Sequence, residues 1–139
     1  MTVPIGQHAP LDAARQRMSG GIPPSQFLNL FPEFQSPSWD GWRAVLARLA
    51  PGVREFYAIV GRGAGKSRII SALACCFAAR EFRRVPGEHV YIGVFAPDRK
   101  QAGVTFRYIV GLLKSVPVLA ALIVAESKDS IELSNGVIV

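Results

Sequence analysis

Apolar positions along this chain keep two different rhythms. From Ser38 onward, Trp39, Trp42, Leu46 and Leu49 recur at spacings of three and four, which places them on one helix face with Ser38 as N-cap and Pro51-Gly52 as the stop. Residues 56–60 (FYAIV) then form an unbroken apolar run of strand length. After a glycine-rich turn, Ile69, Ile70, Leu73 and Phe77 return to helical spacing, predicting a helix over residues 66–83 that Pro86-Gly87 terminates. A second run of strand length, residues 89–95 (HVYIGVF), closes at Ala96-Pro97-Asp98, where Asp98 can cap the next helix. In that helix Phe106, Ile109, Val110 and Leu113 share a face, leaving Arg99, Lys100, Arg107 and Lys114 to the others.

Strand, helix, strand, helix with connections this short predicts an α/β fold: a parallel sheet with right-handed crossovers, flanked by helices. Residues 130–139 add two short alternating strands around Asn135-Gly136, a C-terminal β-hairpin. Ahead of all this, residues 1–37 carry Pro4, Pro10, Pro23, Pro24, Pro32 and Pro37 with Gly6 and Gly20-Gly21. They are expected to form an irregular lead, with a short helix over residues 11–18 and with Phe27, Phe31 and Phe34 as anchors on the domain formed by residues 38–139.

Composition narrows the picture. At 139 residues and 50% apolar content the chain is one domain with a real core. No apolar run approaches the ~20 residues of a membrane span, and the first residues lack a secretory h-region, so a cytosolic, non-membrane protein is expected. Cys75 and Cys76 are adjacent on a predicted helix, a spacing that suits neither an ordinary disulfide nor a zinc site; they read as small buried thiols. The net charge of +6 is uneven: residues 61–114 hold ten Lys/Arg against Glu81, Glu88 and Asp98, and the remainder is slightly acidic. Such a balance fits a polyanion partner but does not define one.

The chemistry is concentrated between the first strand and its helix. Three glycines, Gly61, Gly63 and Gly65, lie within five residues and precede Lys66-Ser67. Glycine permits positive φ, so the run Gly61, Arg62, Gly63, Ala64, Gly65, Lys66, Ser67, Arg68 can curl its amides toward one anion at a helix N-terminus. It reads as a phosphate-binding loop, with Lys66 for the β- and γ-phosphates and the Ser67 hydroxyl for the accompanying Mg2+. The pattern is a deviant Walker A, because Val60 stands where the first glycine belongs. A glycine turn with an accidental Lys-Ser is the plain alternative.

Taken together, PSWDGWRAVLARL, VGRGAGKSR, FAPDRKQAGVTFRYIVGLLK and ESKDSIELSNGVIV, in this order, resemble the large (ATPase) subunit of phage terminases, over residues 36–139. In that family the first loop glycine is often replaced and an arginine recurs at the Arg62 position. The resemblance implies an additional-strand P-loop ATPase that uses ATP and Mg2+ to drive double-stranded DNA into a prohead in the host cytoplasm. Its implied partners are the small terminase subunit, the portal and further copies in a ring. It also implies catalytic roles for Lys66 and Arg62, the latter at the γ-phosphate. An aromatic element ahead of the loop commonly borders the adenine in P-loop motors, so Trp39, Trp42 or Gln35 are candidates for the base, although large aromatics more often serve the core. Members carry an Asp-Glu pair, a coupling motif and a nuclease domain further along, none of which falls within these residues. The nearest imitation, Leu122-Ile123-Val124-Ala125-Glu126, has alanine where the magnesium-holding Asp belongs. The expectation is therefore a chain that binds nucleotide but lacks the hydrolysis residues. The alternatives are a non-enzymatic remnant or small nucleotide- or DNA-binding P-loop module, and a GTPase or small-molecule kinase sharing only the loop.

Overall fold

The computed structural model describes residues 22–35, 39–49 and 53–139. Residues 11–18, Ser38 and Pro51-Gly52, to which the sequence assigns a helix, a cap and a stop, lie outside them. The chain enters through α1 (Pro24–Leu30), with proline at its first position, and a 3-10 turn (Pro32–Phe34). Phe27 and Phe34 are buried, and with Phe31 they pack ring against ring at centroid distances of 5.3, 5.7 and 5.8 Å. They anchor as expected, though on a helix where an irregular lead was predicted. Helix α2 (Trp39–Leu46) buries Trp39, Trp42 and Leu46, the positions picked out by their spacing.

Two longer helices form the body. Helix α3 (Lys66–Ala78) buries Ile69 and, beyond it, Ser71, Ala72, Ala74, Cys75, Cys76 and Ala78, all small side chains. That lets α4 (Arg99–Ser115) approach closely along its length. The Ser71 hydroxyl donates to its own helix at Ser67 O (2.7 Å) and lies 3.3 Å from Thr105 O on α4, while the Cys75 thiol sits 3.6 Å from Ile109 O. Asp98 caps α4, its Oδ1 accepting from the Gln101 amide at 2.8 Å, and Ile109 and Leu113 are fully buried. A short α5 (Pro117–Ala120) turns the chain into β2 (Ile123–Glu126).

The sheet holds β1 (Val90–Tyr91), β2, β3 (Ile131–Leu133) and β4 (Val137–Ile138) in the order β1-β4-β3-β2. Only β1 and β4 are parallel, with Val90 opposite Val137; β4 with β3 and β3 with β2 run antiparallel. The fold is thus α/β with a mixed sheet, not the parallel sheet expected. Residues 56–60 are the second departure: they form no strand among the described residues, with Tyr57 83% and Ile59 101% exposed. The neighbouring hairpin accounts for the first: it returns locally at low loop-closure cost and its antiparallel strands pair with one side of β1, which is an edge strand of the sheet.

The hairpin also shortens α3, which ends at Ala78 rather than near residue 83. Asn135 Nδ2 donates to Ala78 O (2.7 Å) and Arg80 O (2.9 Å), occupying carbonyls that a longer helix would use internally. Gly136 adopts φ 77°, and the Arg84 guanidinium fills the space that a Cβ there would need. Asn135→Asp keeps turn-forming chemistry but sets an anionic acceptor against two carbonyl oxygens. It is expected to lower stability by about 1–3 kcal/mol, against less than ~0.5 kcal/mol for the exposed Ser134→Ala. Urea unfolding of both variants measures this, and equal midpoints would show that the tie carries no weight.

Candidate functional site

The loop before α3 is curled, with Gly63 at φ 81° and Gly65 at φ 77°, both in the left-handed region. Gly65 is the N-cap of α3 and supplies no side chain, and the first turn contains no acidic residue. The first helical hydrogen bond runs from the Ile69 amide to Gly65 O (3.0 Å), so the amides of Lys66, Ser67 and Arg68 begin the helix without an intrahelical acceptor. Open donors and the positive end of the helix dipole thus coincide at one place.

Lys66 folds back over the turn. Its Nζ donates to Gly61 O at 2.8 Å and Val60 O at 3.1 Å, closing the loop into a ring. Trp42 approaches from the other side, its indole Nε1 donating to Ala64 O at 2.7 Å. Three carbonyls of the loop are therefore held by donors, two of them by an ammonium that an incoming anion can attract. Gly61, Arg62, Gly63 and Ser67 are exposed, whereas Ala64, Gly65, Lys66 and Arg68 are half-buried.

Not every expected residue gathers here. Arg68 spends its guanidinium on the upstream turn, donating to Glu33 O (2.9 Å) and Gln35 O (3.2 Å), so it ties α3 to that turn and leaves only its amide for the loop. Trp39 and Trp42 are 4% and 7% exposed, so neither ring offers an open face for a base to stack on. That favours the core role, the alternative weighed for them, over a place beside adenine. Trp42 still bears on the loop through its N–H, a contact the sequence signals only by placing a tryptophan on the helix just upstream.

Three carboxylates are occupied elsewhere. Glu126, in the imitation of an Asp-Glu pair, bonds Lys114 at 2.7 Å; Asp129 bonds Arg99 at 2.6 Å; Asp98 caps α4. Among the described residues no three His, Cys, Asp or Glu side chains group as a metal site, and no helix is long and apolar enough to cross a membrane. A separate cleft of about 500 Å³ opens between the end of β1, the first turns of α4 and the end of β4, walled by Ile92, Val94, Ala102, Phe106 and Ile138. Sequence reasoning missed it; the small residues Ala102 and Gly103 ahead of Phe106 are its trace. Comparison of the chain with protein-family models, with curated proteins and with solved structures finds no match.

Cys75 and Cys76 are free and buried, as their adjacency suggests. Burial pushes both thiols up, Cys75 furthest, and Cys76 from 9.0 to about 11 although Arg80 beside it pulls the other way. A thiol raised in the folded state leaves stability unchanged below the unfolded value. It then removes stability as pH climbs toward the folded one. The urea midpoint is expected to fall between pH 9.0 and about 11. A thiol-specific chromogenic reagent is expected to react promptly only once the protein is unfolded; rapid modification of the native protein near neutral pH would contradict this burial.

Proposed function

We propose that this chain is the nucleotide-binding front part of a motor similar to the large subunit of phage terminases, an ATPase of the additional-strand P-loop type that packages double-stranded DNA. The observation that carries the reading is the ring made by Lys66 on the carbonyls of Val60 and Gly61 around glycines at positive φ, directly before an uncapped helix. Unpaired amides and an ammonium lie close together there without a carboxylate in the helix's first turn, which is the electrostatic character a triphosphate requires. The order of the four quoted sequence blocks supports the particular family.

In this reading the loop amides and Lys66 hold the β- and γ-phosphates, and Arg62, exposed on the turn, reaches the γ-phosphate. The Ser67 hydroxyl holds Mg2+, which neutralises charge developing on the phosphate oxygens. Lys66 exchanges two neutral carbonyl acceptors for an anionic one, and charge-assisted bonds are roughly twice as strong as neutral ones. Double-stranded DNA, the small terminase subunit, the portal and sister copies in a ring are the partners, met in the host cytoplasm at the prohead. The group that orients the attacking water is not supplied by Glu126 or Asp129, both of which sit in ion pairs. That favours, as second reading, a module that binds nucleotide or DNA without turning nucleotide over.

Titration with a fluorescent ATP analogue and Mg2+ tests the site. Lys66→Ala and Arg62→Ala are each expected to bind at least about tenfold more weakly, or ~1.4 kcal/mol. Wild-type affinity in either variant removes that residue's role. Phosphate release by the unaltered chain is expected to match the Lys66→Ala background, and turnover well above it would reject the binding-only expectation for this chain.

A further inference from the structure

Among the described residues, Trp42 is the one side chain from another element that hydrogen-bonds the loop between residues 60 and 66. The bond is short, 2.7 Å, and the tryptophan is 7% exposed, so its N–H has been withdrawn from water for this purpose. Losing such a buried partner leaves a donor or an acceptor unsatisfied, which costs more than the bond itself returns.

Its effect on the loop follows from peptide geometry. The Ala64 carbonyl and the Gly65 amide belong to one planar unit and point in opposite directions. Holding Ala64 O toward the indole therefore fixes the direction of the Gly65 N–H, away from Trp42. The unit turns about the ψ bond of Ala64 and the φ bond of Gly65, and Gly65, at φ 77°, is a glycine whose torsion moves cheaply in either sense. Left unheld, it can rotate and turn a carbonyl oxygen to the side where the amide stood, and a carbonyl repels the anion that an amide binds. Lys66 restrains the carbonyls of Val60 and Gly61, but those bonds are given up when the ammonium turns to phosphate. The Trp42 bond needs no such exchange and stays in place whether or not an anion is present.

We propose that Trp42 is a positioning residue of the phosphate site: its indole N–H locks the Ala64–Gly65 peptide so that the Gly65 amide faces the polyphosphate chain, and the base plays no part in its role. This rests on the phosphate-site reading above and extends it from the loop to α2.

The test uses the full chain with inorganic tripolyphosphate and, separately, ATP with Mg2+, each by calorimetry. Trp42→Phe retains an aromatic ring for the core but has no N–H. It is expected to unfold cooperatively and to bind both ligands more weakly by the same factor, about tenfold. An adenine-stacking tryptophan would instead leave tripolyphosphate binding untouched. If Trp42→Phe binds tripolyphosphate like the wild type while Lys66→Ala does not, the lock is wrong and the phosphate site stands. If Lys66→Ala also binds like the wild type, the phosphate site itself fails. Should Trp42→Phe not fold, hydrogen exchange of the tryptophan indole N–H signals in the wild-type protein decides. A slowly exchanging Trp42 signal that persists when tripolyphosphate saturates the protein supports the lock, and one that exchanges freely in either state overturns it.

Discussion

Backbone groups left open at the two ends of α3 determine much of what surrounds it. A helix leaves its first amides and last carbonyls without internal partners. At the carboxyl end Asn135, 57 residues away from Ala78, supplies the missing donors, so the hairpin is fastened to the helix and the sheet is built beside it. At the amino end no side chain among the described residues caps the helix, and the chain instead curls round the position with two glycines at positive φ. One end is closed by the fold and, among the described residues, the other is not capped by a side chain. Small side chains between the ends keep α4 against α3 and hold both ends in fixed relation.

The parts of this arrangement that depend on neighbours in sequence were legible from the residues. Asp98 before a run with Ile109 and Leu113 on one face specifies α4 and its cap, and both appear as read. Asn135-Gly136 specifies a hairpin, and there is one, although Asn135 spends its side chain on α3 and leaves the left-handed geometry to Gly136. What could not be read is pairing between distant segments. The run at residues 56–60 has strand composition, but composition states only that a residue fits a pleated surface, not that a surface is there. Likewise the mixed sheet follows from the hairpin pairing with β1, a contact between distant segments that no local pattern states. The end of α3 was misplaced because its stop signal sits on another element altogether.

For the candidate site, glycine spacing announced the curl and Lys-Ser the start of the helix. Sequence spacing said nothing of where Lys66, Trp42 and Arg68 would point. Arg68 turns to the carbonyls of Glu33 and Gln35, and Trp42 to that of Ala64, so the segment upstream of the loop is attached at two points on either side of it. Several of the basic side chains counted along residues 61–114 are also engaged within the fold: Arg99 and Lys114 pair with Asp129 and Glu126, and Arg68, Arg80 and Arg84 donate to backbone carbonyls, which keeps their charge but commits their donors.

The edge of β1 carries a practical meaning. Val90 and Ile92 direct their amides to Gly136 and Ile138, which leaves the opposite side of the strand open beside the exposed rings of Tyr91 and Phe95. An unpaired rim of this kind is sticky toward any stretched polypeptide. Concentrating the protein will therefore bring matching donors and acceptors of separate molecules together, and a bulky charged residue in place of Tyr91 would be the natural remedy for clumping during purification.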